Sequence, residues 1–173
     1  MERDFYKKIL IATDGSKAAE NAADSGIEIA ELSRAKVYAV YVINITSYDS
    51  ILMDETWTKD MSEKFEKIGR EATAHVEEKA KAAGLESESI LLKGNPAKKI
   101  LDFAEEQKVD MIVVGSLGKS GVERLTLGNV SEKVMRNSKV PVLAVREIFD
   151  FPKFFRHSQR DAEVLAPVVS KKE

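Results

Sequence analysis

Short apolar runs alternate along the chain with longer segments in which apolar residues recur at helical spacing. Five of the runs are predicted to be β-strands, because they are rich in β-branched and aromatic residues and end at charged or turn-forming positions. They are residues 8–13, 36–43, 87–92, 111–114 and 140–146. Between them, the pattern predicts helices over residues 17–33 and 59–83, one that opens at Pro96, and one from about residue 130 to 137.

This alternation of strands and helices predicts an α/β fold, with a doubly wound parallel sheet covered by helices on both faces. The fourth strand is apolar throughout, as expected for a strand that is buried on both sides. We therefore expect a single domain over residues 1–146. Residues 147–173 are predicted to form a C-terminal tail that is aromatic-rich at its start, where it carries Phe149, Phe151, Phe154 and Phe155.

Composition and charge narrow the class of protein. The 173 residues include 27 basic and 29 acidic side chains, a net charge of −2, so the basic excess of a nucleic-acid-binding protein is missing. The sequence has no cysteine and two histidines, which excludes thiol catalysis and cysteine- or histidine-rich metal sites. It has no apolar run long enough to span a membrane, and its charged start does not look like a signal peptide. A cytoplasmic protein is expected.

Four of the nine glycines follow the fourth predicted strand, at positions 115, 118, 121 and 128, and a helix is predicted to begin directly afterwards. Glycines let backbone N–H groups approach phosphate oxygens, and the start of a helix adds unpaired N–H groups. Asn129 and Ser131 offer side-chain donors at that helix start. The pattern favours a phosphate site, although the alternative that these glycines only shape a loop stays open.

Two common phosphate motifs do not describe this segment. Gly118, Lys119 and Ser120 match the end of a P-loop, but Val113 stands where its first glycine belongs. The dinucleotide fingerprint GxGxxG is absent as well, because the first glycine spacing is Gly115-x-x-Gly118. The segment is therefore predicted to bind phosphate by a different arrangement.

The spacing Gly-x2-Gly-x9-Gly at Gly115, Gly118 and Gly128 resembles the ATP-binding signature of the universal stress protein family. The opening KKILIATDGS resembles that family's first strand and turn, and the stretch VDMIVVGSLGKSGVERLTLGNVSEKVMRNSKVPVLAVR resembles its fourth strand through its fifth. The resemblance covers roughly residues 6–146. One position departs from the signature, since Asn129 stands where Ser or Thr usually follows the third glycine.

This resemblance implies a five-stranded sheet of order 3-2-1-4-5 and an ATP site at the ends of the strands. Asp14 would accept a hydrogen bond from a ribose hydroxyl, Val42 would meet adenine through its backbone, and Gly115 would line the ribose. An Asp in a turn also often caps the next helix, and that alternative stays open for Asp14. The complete set of implied nucleotide-binding residues is Ala12, Thr13, Asp14, Val42, Val114, Gly115, Gly118, Lys119, Gly128, Asn129, Val130 and Ser131.

The predicted function is that of an ATP-binding regulatory protein of the stress response. No nucleophile–base pair is apparent, so we expect no catalytic residues and at most slow ATP hydrolysis. A Mg or Mn ion, if present, would be held mainly by the ATP phosphates and not by a protein metal site. The alternative function is a nucleotide-free dimeric interaction module with the same fold.

The remaining expectations concern the loops and the assembly. Lys119 and Arg124 would neutralise phosphate or be solvated loop charges, and Trp57 would cover the adenine or, as we favour, close the core. A homodimer is expected to form through the fifth strand, from Val140 to Arg146, because this apolar strand lies at an edge of the predicted sheet. The phenylalanines of the tail are expected to pack on that subunit interface, unless they await another protein partner.

Overall fold

The structure is a computed structural model that describes residues 6–44, 55–116 and 127–146, without the side chains of residues 55–59. Within these ranges, the chain forms five strands and four helices in strict alternation. In chain order they are β1 (Lys8–Ala12), α1 (Lys17–Ser33), β2 (Lys36–Ile43), α2 (Glu55–Ala82), β3 (Ser87–Lys93), α3 (Pro96–Glu106), β4 (Met111–Gly115), α4 (Asn129–Asn137) and β5 (Val142–Val145).

The five strands form one parallel sheet of order β3-β2-β1-β4-β5. The predicted fold class and strand order are therefore confirmed. Because the order reverses between β1 and β4, the carboxyl ends of these two neighbours diverge into separate connections, and a crevice opens between them. Ile11 of β1 lies beside Val113 of β4 and Ala39 of β2, so β1 and β4 end near one level, while β2 continues to Ile43, three residues beyond the partner of Ala12.

Helices α1 and α2 cover one face of the sheet through small side chains. The buried face of α1 consists of alanines with Gly26 and Ile27. Gly26 brings the helix so close to the sheet that an added Cβ would lie 2.8 Å from Cδ1 of Ile11. Ser16 caps the helix start by accepting from the Ala19 N–H at 3.2 Å, as its position before the alanine-rich run predicts. The face is closely packed along the whole length of α1.

Helices α3 and α4 cover the opposite face, where the alternate residues of each strand point. Leu10, Val40, Ile112 and Val134 are the fully buried centre of this second core. Asn95 caps α3 by accepting from the Lys98 N–H at 3.1 Å. These helices have only 11 and 9 residues, against 17 and 28 on the other face, so the carboxyl edge of the sheet is left partly uncovered here.

The observed bounds differ from the predicted ones mainly at α2 and β5. Helix α2 begins at Glu55, earlier than predicted, because residues 55–58 show no apolar periodicity that would mark them as helical. Strand β5 is shorter than predicted and begins at Val142. Pro141 lacks an N–H, and Ser138 forms a local turn with Val140, whose N–H donates to the Ser138 hydroxyl at 3.1 Å.

Several predictions fall on residues outside the described ranges. They concern Gly118, Gly121, Lys119 and Arg124 in the glycine-rich segment, and the aromatic tail 147–173. Trp57 belongs to α2, but its side chain is not described, so its expected packing stays a prediction. Within the described ranges, no helix combines the length and the apolar character that crossing a membrane needs.

Candidate functional site

A cavity of about 330 Å³ lies at the carboxyl ends of β1, β2 and β4, on the face covered by α3 and α4. Its floor is made by the last residues of these strands, and its walls by the first turns of α3 and α4. The described residues that line it are Ala12, Thr13, Asp14, Ala19, Val40, Val42, Pro96, Ile100, Val114, Gly115, Gly128, Asn129, Val130 and Ser131. This is the crevice at the reversal of strand order that a doubly wound sheet is expected to use for a ligand.

The structure brings together every predicted site residue that it describes. The turn after β1 supplies Asp14, the end of β2 supplies Val42, and the end of β4 with the start of α4 supplies the glycines and Ser131. Gly118 and Lys119 lie outside the described residues. Residues from four separate parts of the chain thus share one cavity, although the binding role of each stays a prediction.

The turn that carries Asp14 is organised by its own side chains. The Asp14 Oδ1 accepts from the Ser16 N–H at 2.9 Å, and the Thr13 hydroxyl accepts from the Gly15 N–H at 3.1 Å. Gly15 has a φ of +75°, a conformation that favours glycine. Asp14 therefore shapes the turn, but the residue that caps the next helix is Ser16 and not Asp14. The half-buried carboxylate of Asp14 also lines the cavity.

The first turn of α4 lines the other side of the cavity with backbone donors. Its N-cap is Gly128, and no described side chain caps the helix. The first N–H groups of a helix have no partner within it, and they carry a partial positive charge. Glu132 makes the first helical bond, to the Gly128 carbonyl at 2.8 Å, so the donors that remain are those of the residues between them. This arrangement can bind an anion.

Gly115 has a packing reason for being glycine. A Cβ at this position would lie 2.9 Å from the backbone carbon of Ala18 and from the backbone nitrogen of Ala19. Backbone atoms cannot yield as the end of a flexible side chain can, so α1 requires a glycine at the end of β4. The first glycine of the motif is therefore needed to let the helix approach, whatever ligand the cavity holds.

Ala19, Val40, Pro96 and Ile100 line the cavity but were not predicted as site residues. Val40 and Ile100 belong to the core of the α3/α4 face, where their burial is 99% and 96%. Nothing in the local pattern separates an apolar residue that lines a cavity from one that fills a core. Pro96 carried the one available signal, because it opens a helix that follows directly after a strand.

Asp14 is the only charged side chain among the described residues that line the cavity. The clear pKa shifts lie elsewhere, on α2 and on the strands beside it. The ammonium of Lys93 donates to Glu66 and lowers the pKa of that carboxyl, and Lys81 does the same for Glu77, with help from the Ser89 hydroxyl. Hydrogen bonds to Glu86 and then Glu88 raise the pKa of Lys36. In the described ranges, no three His, Asp or Glu side chains are grouped to hold a metal ion.

Comparison with known proteins decides the family. The sequence profile described as the universal stress protein family matches residues 5–146. The chain belongs to this family. It is also 40% identical over 144 residues to the universal stress protein MJ0531 of Methanocaldococcus jannaschii, an alignment that covers 83% of this chain and 84% of that protein. The resemblance noted in the glycine spacing and in the first strand is thus confirmed.

Solved structures show the same fold. The protein MJ0577, described as hypothetical when its structure served to assign a biochemical function, superimposes with a TM-score of 0.74 at 29% identity, over 84% of this chain and 99% of that one. A universal stress protein in complex with cAMP superimposes with a TM-score of 0.60 at 29% identity, over 83% of this chain and 98% of that one.

Proposed function

We propose that this universal stress protein binds ATP in the cavity at the carboxyl edge of the sheet and acts as a regulatory protein of the stress response. The observation that carries the proposal is the convergence of the described signature residues, with Asp14 and Val42, on one cavity. The cAMP complex of the related protein supports the nucleotide class. Little or slow hydrolysis is expected, because the described lining offers no group besides Asp14 to activate water.

The lining of the cavity offers three chemical environments, and each suits a different part of a nucleotide. Val40, Val42 and Ile100 give the cavity an apolar lining, which suits the face of a base. The Asp14 carboxylate would accept from a ribose hydroxyl, and the N–H groups at the start of α4 would donate to phosphate. An adenosine with its phosphates directed at Gly128 and Asn129 satisfies all three environments.

A divalent ion would be bound mainly through the ATP phosphates. Mg²⁺ prefers oxygen ligands and commonly keeps several waters, so it needs only one or two protein carboxylates. Asp14 is the carboxylate that the described lining offers. The proposal therefore assigns Mg or Mn to the bound nucleotide and not to a separate protein site.

The direct test is to denature the purified protein and identify any released nucleotide by chromatography, followed by calorimetric titration of the emptied protein with ATP. Micromolar affinity, about −8 kcal/mol, is expected. Gly128→Val should abolish ATP binding, because the added side chain would fill the cavity beside the first turn of α4. The fold should stay intact, because Gly128 has a φ of −61° and ψ of 149°, which any residue can adopt.

Absence of ATP binding at millimolar concentration would leave the alternative function, a nucleotide-free interaction module. The homodimer expected through β5 remains a prediction in either case. Val142, Leu143 and Ala144 are only half-buried in the single chain, and β5 lies at the edge of the sheet. Sedimentation of a monomer at tens of micromolar protein would refute the dimer. The cytoplasmic location and the packing of the tail on the interface also stay predictions.

A further inference from the structure

Two hydrogen bonds join the end of β4 to the start of α4 across the glycine-rich segment. The Gly128 N–H donates to the Ser116 carbonyl at 2.7 Å. The Ser131 hydroxyl donates to the Gly115 carbonyl at 2.6 Å, although these residues are 16 positions apart. Both bonds lie beside the cavity, because Gly115, Gly128 and Ser131 all line it.

The hydroxyl of Ser131 has a single proton, which is already donated in this structure. If Ser131 turned to donate to a phosphate oxygen, the Gly115 carbonyl would lose this bond in a region where Ser131 itself is only 6% exposed. Loss of a hydrogen bond to a partly buried carbonyl is unfavourable, because few waters can replace the lost donor. The backbone N–H groups in the first turn of α4 face no such conflict, because they have no partner within the helix.

We propose that Ser131 is a positioning residue, which fixes the first turn of α4 against β4 and thereby aims the backbone donors of that turn into the cavity. The inference rests on the proposed nucleotide binding. It states which side chain fixes the backbone N–H groups that would bind the phosphates. It also gives Ser131 a different role from the direct phosphate contact that the family resemblance implies. Recognition of the phosphate then depends on backbone geometry and not on the Ser131 side chain.

The chain offers a matched control in Ser116. This serine is also buried, at 3% exposure, and stands on the same segment as the carbonyl that Ser131 binds. Its hydroxyl has no hydrogen-bond partner among the described residues. Ser131→Ala and Ser116→Ala therefore remove the same group from equally buried sites, but only the first removes a bond between α4 and β4. Ser131→Thr keeps the hydroxyl and serves as the conservative variant.

The first measurement is amide hydrogen exchange by NMR in the nucleotide-free protein. The reporter is the Glu132 N–H, which closes the first turn of α4. We expect Ser131→Ala to accelerate its exchange about three- to tenfold, the range that one lost hydrogen bond typically produces. Ser116→Ala and Ser131→Thr should leave it within twofold of wild type. A residue that served only as a phosphate ligand would not alter exchange in the empty protein, so unchanged exchange in Ser131→Ala would overturn the proposal.

The second measurement compares ATP with adenosine, which lacks phosphates. Ser131→Ala should weaken ATP binding about three- to tenfold and leave adenosine binding within twofold, because the misplaced donors serve only the phosphate end. Equal weakening of both ligands would overturn the proposal, since it would show a general disturbance of the cavity. If wild-type protein binds neither ligand, the proposed function fails, and the exchange measurement still decides whether Ser131 positions α4.

Discussion

The two faces of the sheet are built from the same strands but differ in how closely the helices pack on them. On the α1/α2 face, alanine and glycine residues let the backbone of α1 lie close to the sheet. Gly26 of α1 lies against β1, and Gly115 of β4 lies against the backbone of α1. On the α3/α4 face, the helices are shorter, and a cavity of about 330 Å³ remains over the same strand ends. The α1/α2 face is therefore closely packed, whereas the α3/α4 face leaves room for a ligand.

The position of the cavity on the α3/α4 face depends on the packing of the opposite, α1/α2 face. Ala12 and Val114 line the cavity, while their neighbours Ile11 and Val113 are fully buried in the core of the opposite face. Strand residues alternate between the faces, so close packing under α1 sets where the cavity floor lies. A preformed floor of this kind lowers the cost of ordering a site when a ligand binds.

The sharpest test of the comparison is one deletion made on each face. Ile11 is fully buried under α1, whereas Ile100 is 4% exposed and lines the cavity. Ile11→Ala should lower the free energy of unfolding by about 4 kcal/mol, and Ile100→Ala by about 2 kcal/mol, because atoms beside an existing cavity have fewer packing partners to lose. Urea denaturation measures both. Equal losses would show that the two faces are packed alike.

Nucleotide should stabilise the protein unevenly if the open face is the binding face. ATP at a hundred times its dissociation constant should raise the free energy of unfolding by about 2.7 kcal/mol. Thermal denaturation measures this rise, and amide exchange locates it. We expect added protection at the start of α4 and at the end of β4, with exchange in the second half of α2 unchanged. Protection centred on α2 would place the ligand on the other face.

The close approach of α1 predicts a specific intolerance at the first signature glycine. Gly115→Ala should lower the free energy of unfolding by about 1–3 kcal/mol, because its Cβ would meet the backbone of Ala18. The midpoint of thermal unfolding should fall by about 2–4 °C for each kcal/mol. Gly128→Ala is the control, since its extended backbone accepts any side chain. Full stability in Gly115→Ala would mean that α1 can move away.

The smallest expected effect concerns the ion pairs that tie α2 to β3 on the packed face. Glu66 accepts from Lys93 at 2.6 Å, and this bond lowers the pKa of the Glu66 carboxyl. A lowered acid pKa contributes stability above the unfolded value, about 4.3, and that contribution is lost as the pH falls through the folded value. The urea midpoint should therefore drop between pH 5 and pH 3.

Lys93→Met should reduce this dependence on pH, because Glu66 then titrates closer to its unfolded value. Lys98→Met is the matched control, since Lys98 pairs with Asp102 within α3 and its carboxyl partner is not Glu66. An identical pH profile in wild type and Lys93→Met would show that the pair between α2 and β3 adds nothing measurable, as is common for exposed pairs.

Most of the strands and helices could be predicted from the sequence, because each has a local periodicity of apolar residues. Residues 36–43 read as a strand from their own β-branched and aromatic composition, and α1 from its run of alanines. Strand order came instead from the resemblance to a family, since the pairing of β1 with β4 joins segments about a hundred residues apart. The start of β5 was predicted two residues too early, because a side-chain turn at Ser138 competes with the sheet at Val140.

The candidate site divides in the same way. Gly115 and Gly128 could be named from their spacing, whereas Asp14 and Val42 were implied by the resemblance to the family. Val40 and Ile100 could not be named, because whether an apolar side chain borders a cavity or fills a core depends on which helices cover it and how far they extend. Gly115 also proved to be required by the backbone of α1, and the Ser131 hydroxyl by the Gly115 carbonyl. These contacts join residues that are distant in the chain, and only packing in three dimensions creates them.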